Sequence, residues 1–406
     1  MQHALLLIPQ DTLFFRDARP MSGSLAGHGA SWPLPHIIHQ AFHAAFHRAG
    51  IESHQHHTGV SRTRDYTSAR DQKFGALKTI GPFPVDKDGT WYIPAPADAA
   101  DGFRLIETPP SSLPRPLTHV FAAAKPPSKE ERSAWVPLAG DERLYDEYDE
   151  YDSKEERSAW VPLAPSGRAT PKCDNDIFLS EARIGIGIDP DTQTQDGERF
   201  YTSHVLRLRD QDGWRFGLLA EADDKDHGDL VAAFLSRERR LILGGQQGIA
   251  LIENAPARPP FPSCATNGGT RLAWRLITPA VFHDGWRPHW IHPETGAVLL
   301  HARVERRPGK SRLDWRELVK RAPAIPARLI AALVPKPVAF SGWELKGGIP
   351  KPTQFAVPAG AVYAFEADQG APPETLQTLA AALHLTPRST LFGEKGFGIG
   401  LCSALP

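Results

Sequence analysis

The sequence predicts an α+β chain, and three observations carry that reading. The 34 glycines and 38 prolines among 406 residues punctuate it into many short apolar runs of strand length. Segments of helical period are few, and they sit among the strands without a regular βαβ spacing. The length exceeds what one hydrophobic core usually spans, so two domains are expected.

Leu5 to Phe15 reads as a strand leading into the turn Phe14-Phe15-Arg16-Asp17-Ala18-Arg19-Pro20, where two aromatics and two arginines meet. A glycine-rich loop, 23–29, precedes a helix from about His36 to Arg48, with Ile37, Ile38, Ala41, Phe42, Ala45 and Phe46 on its apolar face. His36, His39, His43 and His47 share the other face; their spacing could bring two imidazoles to one metal, but no carboxylate accompanies them, and a solvated face is the expectation. Between Pro82 and Pro96, Asp88-Gly89 and Trp91-Tyr92-Ile93 signal a hairpin.

Next comes a duplication. Ser-Lys-Glu-Glu-Arg-Ser-Ala-Trp-Val-Pro-Leu-Ala occurs unchanged at 128–139 and at 153–164, separated by an acidic, tyrosine-bearing spacer, 141–152. Two copies cannot make a solenoid. The stretch from about 125 to 170 is therefore expected to be a mobile surface insertion whose removal the fold tolerates.

From Arg183 to Asp189 apolar residues and glycines alternate, and the chain returns through Arg199-Phe200-Tyr201 to Leu208, the pattern of a long hairpin. Its glycines either admit another backbone or mark bulges. Further expected elements are a helix at 230–239, strands at 272–277 and 361–366, and helices near 313–320 and 374–383. The tail Gly393-Glu394-Lys395-Gly396-Phe397-Gly398-Ile399-Gly400 exposes backbone N–H groups that can hold phosphate oxygens.

The net charge of −1 hides a segregation: seven acids stand against one arginine in 141–152, whereas twelve Lys and Arg face four acids in 301–351. No apolar run near the N-terminus is long enough for a secretory core or a membrane span, so a cytoplasmic protein is expected, with no membrane partner. The three cysteines, Cys173, Cys264 and Cys402, are far apart in sequence and never paired as CxxC, so neither a disulfide framework nor a cysteine-based zinc ribbon is expected. The chain lacks a GxxxxGK[ST] loop, HExxH, GxSxG and GxGxxG, so neither a catalytic residue, a metal nor a cofactor is expected. His283-Asp284, between Phe282 and Gly285-Trp286, reads as a turn.

Leu6 to Pro20, read with Gly81-Pro82-Phe83, Ile93 to Asp98, Arg183 to Asp189, Leu243-Gly244-Gly245, Thr278-Pro279-Ala280, Gly285-Trp286, Ser341 to Glu344, Pro350-Lys351-Pro352, Val357 to Gly360 and the glycine tail, resembles the Cmr subunit three family of RAMP-type proteins from type III-B CRISPR effectors. Ala18 and Gln246 depart from the family's usual Gly and Glu. The resemblance implies two tandem ferredoxin-like (RRM-like) domains. The division is expected as 1–210, containing the insertion and a thumb hairpin at about 183–201, and 211–406. It implies a non-catalytic subunit that caps the 5′ tag of the CRISPR RNA and touches the guide–target RNA duplex. Expected neighbours are the large polymerase/cyclase-like subunit and an adjacent backbone RAMP subunit. Candidate RNA-facing residues are Phe14, Arg16, Arg19, Arg183, Gly185, Gly187, Ser341, Trp343, Lys351, Gly393, Lys395, Gly396 and Gly398. The alternative is a RAMP endoribonuclease that processes precursor guide RNA with a histidine general base.

Overall fold

The computed structural model describes residues 1–15, 32–51, 77–99, 104–108, 113–122, 160–163, 170–189, 191–224, 226–264, 269–302, 322–344 and 349–405. Two antiparallel sheets organise these residues. The first is built from β1 (Gln2–Pro9), β2 (Lys78–Val85), β3 (Arg215–Glu221), β4 (Arg240–Ile242) and β5 (Ile249–Asn254), in the order β4-β5-β1-β3-β2. Its helices are α1 (Pro35–Arg48), between β1 and β2, and α2 (Leu230–Leu235), between β3 and β4. The second sheet holds β6 (Arg271–Leu276), β7 (Ala327–Leu333), β8 (Val362–Ala367) and β9 (Gly400–Leu405) in the order β7-β8-β6-β9, with α3 (Thr375–Leu383) between β8 and β9. The expected helix at 313–320 lies outside the described residues.

Both sheets repeat one connectivity. Leaving β4 aside, the order in each is last strand, first strand, third strand, second strand, with every neighbouring pair antiparallel. β3 and β5 lie past the expected boundary at 210 and pair with β1 in the first sheet, and the second sheet begins at Arg271.

The alternation of β1 explains how the layers join. Successive side chains of a strand point to opposite faces. Leu5 and Leu7 are fully buried in the first core with Phe42 and Phe46 of α1, Phe234 of α2, and Phe216 and Leu218 of β3. Ala4 and Leu6 face the other way and pack against Phe83, Val85 and Trp91, together with Ile277 and Ile399 from the second half of the chain. The second unit has its own core of Leu272, Trp274, Leu276, Leu329, Tyr363, Phe365, Leu379 and Leu383. Helix α1 begins at a proline, whose missing N–H costs nothing in the first turn. Helix α2 is capped by Asp229, whose carboxylate accepts from the amides of Val231 and Ala232. It stops at Leu235, four residues short of the expectation, because Arg240–Ile242 is needed as a strand against β5.

The expected hairpin is longer than the sequence reading, Phe178–Ile188 paired with Gln195–Leu208, and joins neither large sheet. Its register shifts between Ile186, which faces Phe200, and Ile188, which faces Gln195, so the surplus residues lie on the returning strand. Ile184, Ile186 and Ile188 share one face and are 70%, 49% and 60% exposed.

The duplicated segment corrects an expectation. Most of 125–170 lies outside the described residues, but Trp160–Pro162, from the second copy, pairs with Tyr92–Pro94. Trp160 is buried, its ring lies 4.9 Å from that of Trp32, and its indole N–H donates to Asp174 at 2.8 Å. Trp32 in turn lies 4.8 Å from Phe216 of β3. The second copy is therefore anchored in the core, because a Trp-Val-Pro-Leu segment supplies both a large apolar ring and a strand edge. Removal of 127–165 should abolish cooperative folding, whereas removal of 128–152, one period that leaves a single copy joined to Pro127, should leave the melting temperature unchanged. Trp160→Ala should cost about 3–5 kcal/mol in urea denaturation.

Candidate nucleic-acid interface

Two places gather the residues singled out in the sequence. The first is the base of the long hairpin. Leu13 exchanges backbone hydrogen bonds with Leu206 at 2.8 Å, and the Phe14 carbonyl accepts from Gly245 at 2.8 Å. The Leu-Gly-Gly motif exists for this turn: a Cβ on Gly244, at φ +76°, would stand 2.5 Å from the Phe14 carbonyl oxygen, and one on Gly245 would stand 2.8 Å from the Phe14 ring. Phe15 is buried in the first core, while Phe14 stays half-buried. Asp11 sits 3.6 Å from Arg183 and 3.3 Å from Arg207, which also pairs with Glu181. Asp11 is held below the ordinary aspartate range by the Thr12 amide first and by those two arginines second. The chain between the Phe14 turn and α1, which carries Arg16 and Arg19, lies outside the described residues, but its two ends are fixed: the Phe14 turn on one side and Trp32 on the other.

The second place is the N-terminal end of α1, where the glycine tail and the 338–356 ladder meet. Val338–Phe340 pairs with Gln354–Ala356, Trp343–Glu344 pairs with Ile349–Pro350, and the Lys351 amide donates to the Gly342 carbonyl at 2.8 Å, so Ser341, Trp343 and Lys351 come together at one end of this ladder. Phe340, Phe392 and Phe397 form an aromatic trio with centroids 5.5–5.9 Å apart. The His36 ring packs on Phe340 at 5.1 Å and on Phe397 at 5.9 Å. Lys395, only 6% exposed, places its ammonium 5.0 Å from the Phe392 centroid.

This arrangement corrects the solvated histidine face. His39 is buried and reaches the Leu77 carbonyl, and His36 has a buried Nδ1 with no hydrogen-bond partner among the described residues. Burial, reinforced by Lys395 and then Lys351, pushes His36 down to about 3; burial, reinforced by Lys395, does the same to His39. Both are neutral at physiological pH, and such weakly basic imidazoles are poor general bases there. Positive charge thus collects around neutral rings at the start of a helix, a place whose backbone dipole favours anions.

The glycines of the tail have a packing role of their own. A Cβ on Gly396, at φ +87°, would lie 2.4 Å from the Thr79 carbonyl oxygen of β2, and one on Gly398, at φ +73°, would lie 2.2 Å from the Ser389 amide nitrogen. The space beside these two glycines is occupied by the chain's own backbone. Gly396 docks the tail onto the first sheet, Gly398 packs it against the preceding segment at Ser389, and Gly393, beside Pro387, begins the same tight turn.

Several polar contacts were invisible in the sequence. Arg275 of β6 forks onto Asp98 and onto the Ser403 hydroxyl, tying the loop after the Trp91 hairpin to the second sheet. Asp98 ends the Ile93-to-Asp98 motif, but nothing in the sequence names its partner 177 residues away. His283-Asp284 is the expected turn, closed by Asp284 pairing with Arg287 at 2.6 Å, with Gly285 at φ +71°.

Gly396→Val and Gly398→Val should each lower the melting temperature, because a β-branched side chain meets both a forbidden φ and an occupied space. The acid response is also fixed in sign. His36 and His39 have folded-state values near 3, below the ordinary 6.5, so the unfolded chain binds more protons between those pH values. Stability from these two groups is complete above pH 6.5 and is lost as pH falls towards 3. Urea midpoints at pH 7 and pH 4.5 should differ less in a His36→Phe, His39→Gln variant than in the wild-type chain.

Comparison with known proteins places this architecture. The model of the family described as CRISPR-associated protein (Cas_Cmr3) matches residues 5–404. No curated protein matches. Similar solved structures include one described as the type III-B Cmr-beta complex bound to cognate target RNA and AMPPnP, at 13% identity, covering 89% of this chain and 86% of the other, with a TM-score of 0.42. Another, of Cmr-beta bound to cognate target RNA, has 14% identity, the same coverage and a TM-score of 0.42. A third comes from a Csm3-Csm4 subcomplex of a type III-A CRISPR-Cas interference complex, at 10% identity, covering 91% of this chain and 94% of the other, with a TM-score of 0.35. With the family model spanning all but the first four and last two residues, the chain belongs to the Cas_Cmr3 family of CRISPR-associated proteins.

Proposed function

We propose that the chain is a non-catalytic subunit of a type III-B CRISPR effector, where it holds the 5′ tag of the guide RNA beside the large polymerase/cyclase-like subunit and an adjacent backbone RAMP subunit. The observation that carries this reading is the convergence of Lys351, Lys395 and three phenylalanine rings at the start of α1. The segment that bears Arg16 and Arg19 connects that place to the Phe14 turn. Cations for phosphates and ring faces for bases are the two requirements of single-stranded RNA binding. Lys395 is buried, so it acts through its field, while the half-buried Lys351 and the two arginines make the direct contacts.

The repeated strand order supports two tandem ferredoxin-like units, the architecture implied by the RAMP resemblance. The hairpin at 178–208 is the thumb of this reading. Its exposed Ile184, Ile186 and Ile188 offer an apolar face to the bases of the guide–target duplex, and Arg183, with Gly185 and Gly187, lies on the opposite face.

The test is binding of the assembled complex to guide RNA with and without the repeat-derived tag across a salt series. Tagged guide should bind more tightly. Arg16→Ala with Arg19→Ala should reduce that preference, and Lys351→Ala should lower the salt slope by about 0.7 for its one phosphate contact. Equal binding of tagged and untagged guides by the wild-type complex would remove the tag assignment. Metal-independent cleavage of repeat RNA by the purified chain would favour the endoribonuclease instead.

A further inference from the structure

The fold brings together two cysteines that are 138 residues apart in sequence. Cys264 lies in the segment that leads from β5 to β6, and Cys402 lies on β9, an edge strand of the second sheet. Their sulfurs and one nitrogen of His384 are within 4.8 Å of one another. The two thiols hydrogen bond to each other. Among the described residues this is the one group of His, Cys, Asp or Glu side chains close enough to share a metal ion.

The hydrogen bonds of His384 decide between a metal centre and thiol chemistry. Its Nδ1 accepts from the Cys402 amide at 3.0 Å, which uses that lone pair. The ring also hydrogen bonds to the Pro262 carbonyl, which requires an N–H on the other nitrogen. With both nitrogens engaged, the imidazole has no lone pair left for a cation. Two sulfurs remain, fewer than the four ligands of a structural zinc site. The same two bonds hold the crossing segment, through Pro262, and β9, through the Cys402 amide, against one ring. The thiols are thereby kept in register.

We propose that Cys264 and Cys402 form a reversible disulfide in which Cys264 is the thiol that reacts with a hydroperoxide and Cys402 is the one that resolves it. Cys264 is half-buried, whereas Cys402 is 4% exposed, so only the former meets an oxidant from solvent. The hydrogen bond from Cys402 pulls the Cys264 thiol down to about 7, and burial keeps Cys402 protonated. The Cys264 thiolate, having lost its proton to solvent, attacks the terminal peroxide oxygen; the O–O bond breaks, the sulfur becomes a sulfenic acid, and the departing alkoxide, or hydroxide when the oxidant is hydrogen peroxide, takes a proton back from solvent. The Cys402 sulfur then attacks the Cys264 sulfur; the S–O bond breaks, and the departing hydroxide takes the Cys402 proton as water. Two thiols lose two electrons and the hydroperoxide gains them. A thiol reductant reverses the bond by exchange. The product ties the crossing segment covalently to the last strand of the second sheet.

The experiment treats the full-length chain with a small excess of hydrogen peroxide near neutral pH, then counts free thiols and maps peptides without reduction. Two of the three thiols should disappear, the mass should fall by two hydrogens, and one linked peptide pair should join Cys264 to Cys402, with Cys173 still alkylatable. Dithiothreitol should restore all three. In Cys402→Ser, dimedone should label Cys264, and in Cys264→Ser neither remaining cysteine should oxidise at a comparable rate. Oxidation at Cys402 in the absence of Cys264, a link between two chains, or three thiols surviving in the wild-type protein would each overturn the proposal. So would stoichiometric zinc binding that is lost in both serine variants, because it would require His384 to surrender a hydrogen bond.

Discussion

Strand β1 is covered on both faces, fully on one and in part on the other, and the rest of the molecule is arranged around that demand. Leu5 and Leu7 are covered by α1 and α2, and Ala4 and Leu6 by residues that include Ile277 and Ile399 of the second half. A stretch such as Ala4 to Ile8, apolar on both faces, cannot lie at a solvated surface, since each buried Leu contributes about 1.5–3 kcal/mol that exposure would forfeit. The second unit therefore serves as the missing layer of the first. The close approach of the glycine tail to β2 follows from the same packing, because Ile399 is brought into that layer only if Gly396 and Gly398 allow the chain to turn against Thr79 and Ser389.

The junction between the two units is also where charge and aromatic rings accumulate. His36 and His39 lie on α1, Lys395 and Phe397 on the tail, and Phe340 and Lys351 on a ladder of the second half. Buried imidazoles stay neutral there because the neighbouring lysines make a second positive charge costly. The result is a basic environment in which the lysines, rather than the histidines, carry the charge. A phosphate-bearing partner would find that charge already positioned, and a proton-transfer reaction would find no effective base in these two rings.

The duplicated segment shows how composition can mislead. Charge and low complexity mark the spacer, which lies outside the described residues, as unlike a core, yet Trp160 within the second copy fills the space between Trp32 and the Asp174 carboxylate. The signal was present in the repeated Trp-Val-Pro-Leu, since a large apolar ring rarely stays solvated. With two identical copies, the sequence held no means of choosing between them. Strand pairing with Tyr92–Pro94 made the choice.

Local patterns were enough to determine the α+β class, the apolar face of α1, the long hairpin and the turn at His283-Asp284. Each of these is written in residues within a few positions of one another, through periodicity or turn chemistry. The ordered motifs likewise carried the family, and the Leu-Gly-Gly and Gly-x-Gly elements sit where one backbone approaches another closely. Only the tertiary structure decided that β5 returns to pair with β1 across some 240 residues. It alone showed that half of the histidine face is buried, that Gly396 and Gly398 accommodate the chain's own backbone, and that Cys264, His384 and Cys402 meet. All of these depend on contacts between distant segments, whose pairing is set by the burial of whole surfaces and leaves no trace in local spacing.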